Sequence, residues 1–291
     1  MKDEEKALIA AWSDHSRMWK DNKWVYPVIS RRAGGLSVGV NLNPDHHCTF
    51  SCAYCQSGPQ ENHKPVPIDV EAVERELRDF IAFYESGDYK DCAFFKDIPA
   101  EKKLLKDLCL SGDGESTIVK EFPEICRRMR NIQKDLTPSA GPFKLRLITN
   151  GSRLGNDAVE QGLGYLLEEN GEIWAKLDAG TEEWFKKINR SPLHLEKILA
   201  NLETAIKRYP LCIQTMLCDI QGQVPSESEI GSYIENLKKI HGTNPGNFVE
   251  VQLYTVIRHT LLPDVTPLPT EFLQAVASRI TAEIPVKVRI F

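Results

Sequence analysis

The sequence predicts an α/β chain whose parallel strands form a partial (β/α)6 TIM-like barrel. Three observations carry that prediction. From residue 36 onward, strand-like and helix-like stretches alternate, the signature of βα units joined by right-handed crossovers. Counting the strand before residue 43 gives six βα-type strands, too few for a closed eight-stranded barrel in 291 residues. Polar loops, most of them bearing glycine, follow four of these strands in succession, at the carboxyl ends where ligands gather on such sheets. The predicted organisation is an N-terminal helix and extension over residues 1–35, packed on one core domain over 36–291.

The elements follow in order. Residues 4–20 place Leu8, Trp12 and Trp19 near one helical face and predict an amphipathic helix. Residues 24–32 are extended, and Gly34-Gly35 admits a tight approach into a strand over 36–42, where Leu36, Val38, Val40 and Leu42 alternate. Asp69 is placed to cap a helix carrying Val73, Leu77, Phe80, Ile81 and Tyr84. Residues 87–106 show no clean period and read as a loop, and 108–110 as a short strand. Helices are then predicted at 118–133, 156–168, 181–188, 194–208, 227–240 and 270–280. Strands are predicted at 143–149, 173–177, 212–217, 248–254 and 286–290.

With 42% apolar residues the chain can bury a full core. It has no apolar run long enough to span a bilayer, and its first residues, MKDEEKALIAAWSDHS, lack the basic region of a signal peptide. Eight scattered cysteines do not form a disulfide framework, so the expected setting is a reducing cytoplasm. A net charge of −5 argues against recognition dominated by nucleic-acid phosphates.

Residues 36–58 hold the most information about function. Cys48, Cys52 and Cys55 stand at C-x3-C-x2-C spacing just after the first core strand, in a loop opened by Asn43-Pro44-Asp45. Three thiolates in eight irregular residues can converge on a soft metal centre. A structural zinc site or a ferredoxin-type cluster needs four protein ligands, and no further Cys lies within thirty residues of Cys55. The natural reading is a 4Fe–4S cluster with one iron open. Zinc with His46 or His47 as fourth ligand, or buried core thiols, are the alternatives. A second motif, Gly112-Asp113-Gly114-Glu115, follows the next predicted strand, with open backbone groups and a carboxylate suited to an ammonium. Asn150 and Asp178 end the two strands after that. Asp178, Lys176 and Arg190 are candidates for substrate binding or for a salt-bridged rim. Cys212 and Cys218 fall at the two ends of one predicted strand, and with Cys92, Cys109 and Cys126 they read as buried thiols.

The cysteine loop, with Tyr54 preceding its last Cys, resembles the C-x3-C-x-aromatic-C signature of the radical S-adenosylmethionine (SAM) superfamily. The resemblance implies that Cys48, Cys52 and Cys55 hold one 4Fe–4S cluster, and that its open iron chelates SAM. It implies reductive cleavage of SAM to a 5′-deoxyadenosyl radical. Gly112-Asp113-Gly114-Glu115 is similar to the superfamily's GGE element, which binds the methionyl amino group, with Asp113 in place of the middle Gly. Asn150, Tyr54 and Asp178 would complete the cofactor site, and Met216 or Leu217 and Leu253 or Tyr254 would pack on adenine. An electron donor such as flavodoxin or ferredoxin is implied as partner. The phrases PVISRRAGGLSVGVNL, CTFSCAYCQSG, LSGDGESTI, LITNGS and KLDAGTEEWFKKINR resemble wyosine (4-demethylwyosine) synthase-related radical SAM proteins. In wyosine synthase a second cluster is bound by cysteines upstream of the signature, whereas residues 1–47 here contain none. The expected substrate is therefore a small molecule or nucleobase, with tRNA as the alternative.

Overall fold

The computed structural model describes residues 3–13, 17–57, 66–257, 260 and 262–291, and of residues 3–5, 13 and 137–140 the backbone alone. Two compact units emerge, each contributed by several stretches of chain. The first comprises Met1–Pro44, Pro65–Leu147 and Asp157–Gly171. Its elements are α1 (Asp3–Ser13), β1 (Val25–Ser30), β2 (Gly35–Val40), α2 (Val70–Ser86), β3 (Leu105–Leu110), α3 (Phe122–Ala140), β4 (Lys144–Thr149, whose last two residues fall in the second unit) and α4 (Asp157–Leu166). β2, β3 and β4 are parallel, and β1 runs antiparallel along β2. Every residue of β2 is buried, as expected for a strand covered on both faces. Gly39 is required there, since a Cβ would lie 2.4 Å from the ring of Tyr26 on the neighbouring strand. Asp69 caps α2 by accepting from the Ala72 N–H at 2.9 Å, and the helix buries Val73, Leu77, Phe80 and Ile81.

The helix predicted over 4–20 is corrected by the structure. α1 stops at Ser13, residues 14–16 lie outside the described residues, and Arg17 and Lys20 adopt left-handed φ of 50° and 51°. Trp19 is buried by tertiary packing instead, against Phe80, Phe83, Phe94 and Phe95.

The second unit comprises Asp45–Lys64, Ile148–Asn156 and Glu172–Phe291. It contains β5 (Gly171–Lys176, whose first residue falls in the first unit), α5 (Glu182–Ile188), α6 (Leu195–Ile206), β6 (Leu211–Met216), β7 (Cys218–Ile220), α7 (Glu227–Thr243), β8 (Phe248–Tyr254), β9 (Val265–Pro267), α8 (Thr270–Glu283) and β10 (Val288–Ile290). β5, β6, β8 and β10 are parallel neighbours in that order, while β7 pairs antiparallel with β9 in a small separate sheet that sequence patterning did not reveal. Cys212 and Cys218 therefore belong to different sheets, not to one strand. The register aligns Lys176, Gln214, Gln252 and Arg289 across the four parallel strands. Three of them join Glu250 in a chain of bonds: Gln214 donates to Gln252 at 2.8 Å, Gln252 to Glu250 at 2.6 Å, and Arg289 to Glu250 at 2.8 Å. Buried polar side chains persist only when so partnered. No helix among the described residues is long and apolar enough to cross a membrane.

Candidate functional site

The cysteine loop lies wholly in the second unit and has no regular secondary structure, so its shape depends on what holds it. The last turn of a helix leaves carbonyls without partners, and the loop uses those of α5. Ala53 donates to the Ile188 carbonyl at 2.8 Å and Ser51 to that of Asn189 at 3.1 Å. Phe50 packs edge-on against Phe185 of α5, with ring centroids 5.4 Å apart. The Cys55 N–H closes a turn on the Cys52 carbonyl at 2.9 Å. Phe50, Ala53 and Tyr54 are buried as anchors, whereas Cys48, Cys52 and Cys55 remain half-buried.

Two side-chain amides reach the sulfurs. Asn150, just past β4, points Nδ2 at Cys48 Sγ (3.5 Å) and at Thr49 Oγ1 (2.8 Å), and its Oδ1 accepts from the Ser152 N–H. Asn189, at the end of α5, points Nδ2 at Cys52 Sγ (3.5 Å) and at Asp178 Oδ2 (2.8 Å). The Phe50 N–H adds a third donor, 3.5 Å from Cys48 Sγ.

Asp178, immediately after β5, is 3% exposed and ties three elements together. Its Oδ1 accepts from the Met216 N–H at the end of β6 (2.8 Å), and its Oδ2 accepts from Asn189 and from the Tyr54 hydroxyl. Lys176 lies below, bonded to the hydroxyls of Tyr54 and Tyr254 and packed over both rings. Burial, and then the Asp178 carboxylate, push the Tyr54 phenol well above its usual range and the Cys52 thiol up to about 12. For Lys176, burial alone would favour the neutral amine, but Tyr254 and Asp178 more than offset it, so the ammonium holds its proton.

Among the described residues, no three His, Cys, Asp or Glu side chains are placed to enclose a single metal ion. A four-iron cluster makes a different demand, one thiolate on each of several irons, with its potential tuned by hydrogen bonds to the sulfurs. Three accessible thiols on an irregular loop, with amide N–H groups directed at two of them, fit that demand. The remaining cysteines differ. Cys109, Cys126, Cys212 and Cys218 are buried and Cys92 is half-buried; burial is the chief cause holding the Cys109, Cys126 and Cys218 thiols far above their usual range.

The second motif belongs to the first unit, in the loop after β3. Gly112 lies so close to Asn41 that a Cβ would sit 2.2 Å from its Oδ1. Asn41 bonds Asp113 twice, Nδ2 donating to the carboxylate at 2.6 Å and Oδ1 accepting from the backbone N–H at 3.1 Å. Arg17 forms an ion pair with the same carboxylate. Glu115 is 2% exposed, and its Oε1 accepts from the N–H (3.3 Å) and hydroxyl (2.5 Å) of Thr117, capping the short turn Ser116–Ile118.

Of the sequence-predicted residues, Cys52, Tyr54 and Asp178 thus join one bonded assembly with Lys176, while Cys48 and Asn150 form a second group at the same loop. Met216 and Tyr254 enter the first through the backbone and the hydroxyl. Asn189 and Asn41 were not singled out from sequence. Asn189 stood inside the phrase KKINR, and its place at the end of a helix that opens after Asp178 was the available signal.

Known proteins resemble this chain in sequence and in fold. The sequence profile of the radical SAM superfamily matches residues 42–220. The UPF0026 protein slr1464 of Synechocystis is 26% identical over 237 residues, covering 79% of this chain and 74% of that protein. The GTPase Obg of Brachyspira hyodysenteriae is 26% identical over 164 residues, covering 56% of this chain, which spans only 20% of that protein. Among solved structures, TYW1 with a lysine-pyruvate adduct superposes with a TM-score of 0.56 at 17% identity, covering 85% of this chain and 73% of that one. At that identity the likeness shows the fold, the partial barrel expected from sequence.

Proposed function

The chain belongs to the radical SAM superfamily, and from that premise we propose that Cys48, Cys52 and Cys55 hold a 4Fe–4S cluster at which S-adenosylmethionine is reductively cleaved. When bound, the cluster supplies the electron that breaks the sulfonium bond to give a 5′-deoxyadenosyl radical. The observation that carries the residue assignment is the pair of asparagine amides, Asn150 and Asn189, directed at Cys48 and Cys52 from two different elements. Hydrogen bonds of this kind orient ligands and stabilise charge on sulfur.

The chain's own residues divide the remaining work. Asp178 positions the loop by fixing Tyr54 and Asn189 at once. The backbone of Gly112, Asp113 and Gly114, with the Glu115 carboxylate, binds the methionyl end of SAM, and Asn150 assists. The net charge of −5 supports a small molecule or nucleobase as substrate over a nucleic-acid chain gripped by its phosphates. An electron donor of the flavodoxin or ferredoxin kind supplies the reductant, in the cytoplasm.

The test is anaerobic reconstitution with iron and sulfide, followed by dithionite and SAM. The expected product is 5′-deoxyadenosine, with about four irons bound per chain. An intact cluster that yields none would reject the reading.

A further inference from the structure

Beside the cysteine loop the second unit holds a cavity of about 590 Å³, which Cys48 and Phe50 line on one side. Arg153, Arg190 and Lys197 line it as well, drawn from the segment after β4, the end of α5 and the first turn of α6. Among the described residues, no carboxylate lines it. Each of these three cations is exposed, and among the described residues none has a side-chain hydrogen bond or ion pair. Elsewhere the chain's basic residues are commonly matched: Arg128 meets Glu71, Glu74 and Glu124, and Lys238 meets Glu235 and Glu283. Arg190 also takes a left-handed φ of 49°, which turns the chain between the buried Asn189 and the exposed rim. Three unmatched cations on a chain of net charge −5 form a local field opposite in sign to the whole.

We propose that this rim is the docking surface for an acidic one-electron carrier protein, and that electrons enter the chain through it at Cys48. The inference rests on the cluster reading above. Charge selects the occupant. SAM is net positive, with a sulfonium and an ammonium against one carboxylate, so three cations without a carboxylate repel it. An acidic carrier complements them, and its seat beside a proposed cluster ligand keeps the transfer distance short. The step is a single electron transfer: the reduced carrier is oxidised as the cluster is reduced, and no bond forms or breaks. Rim charges act chiefly on encounter and on salt dependence.

The test measures the dissociation constant of an acidic bacterial flavodoxin for the reconstituted full chain by calorimetry, at low and high salt. Screening contracts from about 10 Å at 0.1 M to about 3 Å at 1 M, so binding should weaken as salt is raised. The double variant Arg153→Glu/Lys197→Glu should weaken it at least about tenfold, with Arg153→Gln/Lys197→Gln between the two. Flavodoxin-driven formation of 5′-deoxyadenosine should fall in parallel, while dithionite-driven formation is retained. An unchanged dissociation constant in a folded double variant overturns the proposal. So does an equal loss under dithionite, which would assign the rim to SAM or substrate, or charge-dependent binding of tRNA in place of flavodoxin. If the unaltered chain makes no 5′-deoxyadenosine with dithionite, the cluster reading fails separately, and the charge dependence of flavodoxin binding still decides the surface.

Discussion

In the second unit the cysteine loop is held from outside, by donors that reach its sulfurs and by a helix end that accepts its backbone. In the first unit the loop after β3 turns its own polar side chains inward, Asp113 onto Asn41 and Arg17 and Glu115 onto Thr117. The first arrangement leaves three reactive atoms accessible on a rigid frame. The second offers backbone groups beside the Glu115 carboxylate, while the Asp113 side chain is committed to shape. A ligand held by side chains should be lost when one is removed, whereas a ligand held by backbone should tolerate many side-chain changes near it.

The sharpest way to break that contrast is Cys52→Ala, for which iron content should fall to a small fraction of the parent's and SAM cleavage should vanish, as read by iron analysis and 5′-deoxyadenosine yield. Glu115→Ala comes next. Loss of a hydrogen bond to a charged group costs roughly 1.5–3 kcal/mol, so SAM affinity should drop about ten- to hundredfold in equilibrium dialysis while iron content holds. Unaltered affinity would remove Glu115 from the SAM site. Asn189→Ala strips a donor from both Cys52 and the buried Asp178, and should cost about 1–3 kcal/mol in denaturant unfolding. Cluster reduction should also shift to a different potential. Asp113→Asn should be milder, under about 1 kcal/mol in stability, because a partly exposed ion pair contributes little. A large loss of SAM binding there would show that Asp113 does more than shape its loop.

The smallest effect concerns acid. Burial alone would raise the Glu250 pKa, but Arg289, Gln252 and Lys287 more than offset it, so the carboxyl sits below its usual value. A depressed carboxyl contributes stability above its unfolded pKa and loses it as pH falls through the folded one. Glu250→Gln should therefore flatten the acid limb of a stability-against-pH curve and leave the alkaline limb unchanged.

Sequence patterning located the core βα elements because the helices bury one regular face and the strands are short, largely apolar runs buried on both, and α2, β6, β8 and α8 begin within a few residues of where patterning places them. It failed where tertiary contact decides. The β7–β9 pair is too short to show a period of its own, and Trp19 looks helical only by its spacing, whereas residues 24–32, read as extended, do hold β1. The cysteines and the Gly112–Glu115 loop were legible because their chemistry is written in residue type. Asn189 and Asn41 were not, because an asparagine gains its role only from the sulfur or carboxylate it meets, and that meeting is made by distant segments.

The threefold attachment of Asp178 has a practical meaning for how the protein is handled. Since a carboxylate, two asparagines and a helix end already shape the cysteine loop, iron should enter a finished cradle instead of driving the chain to fold, unlike small zinc modules that collapse without their ion. Chelation should then strip the iron from a chain that keeps its secondary structure, and the same preparation should accept fresh iron and sulfide afterwards.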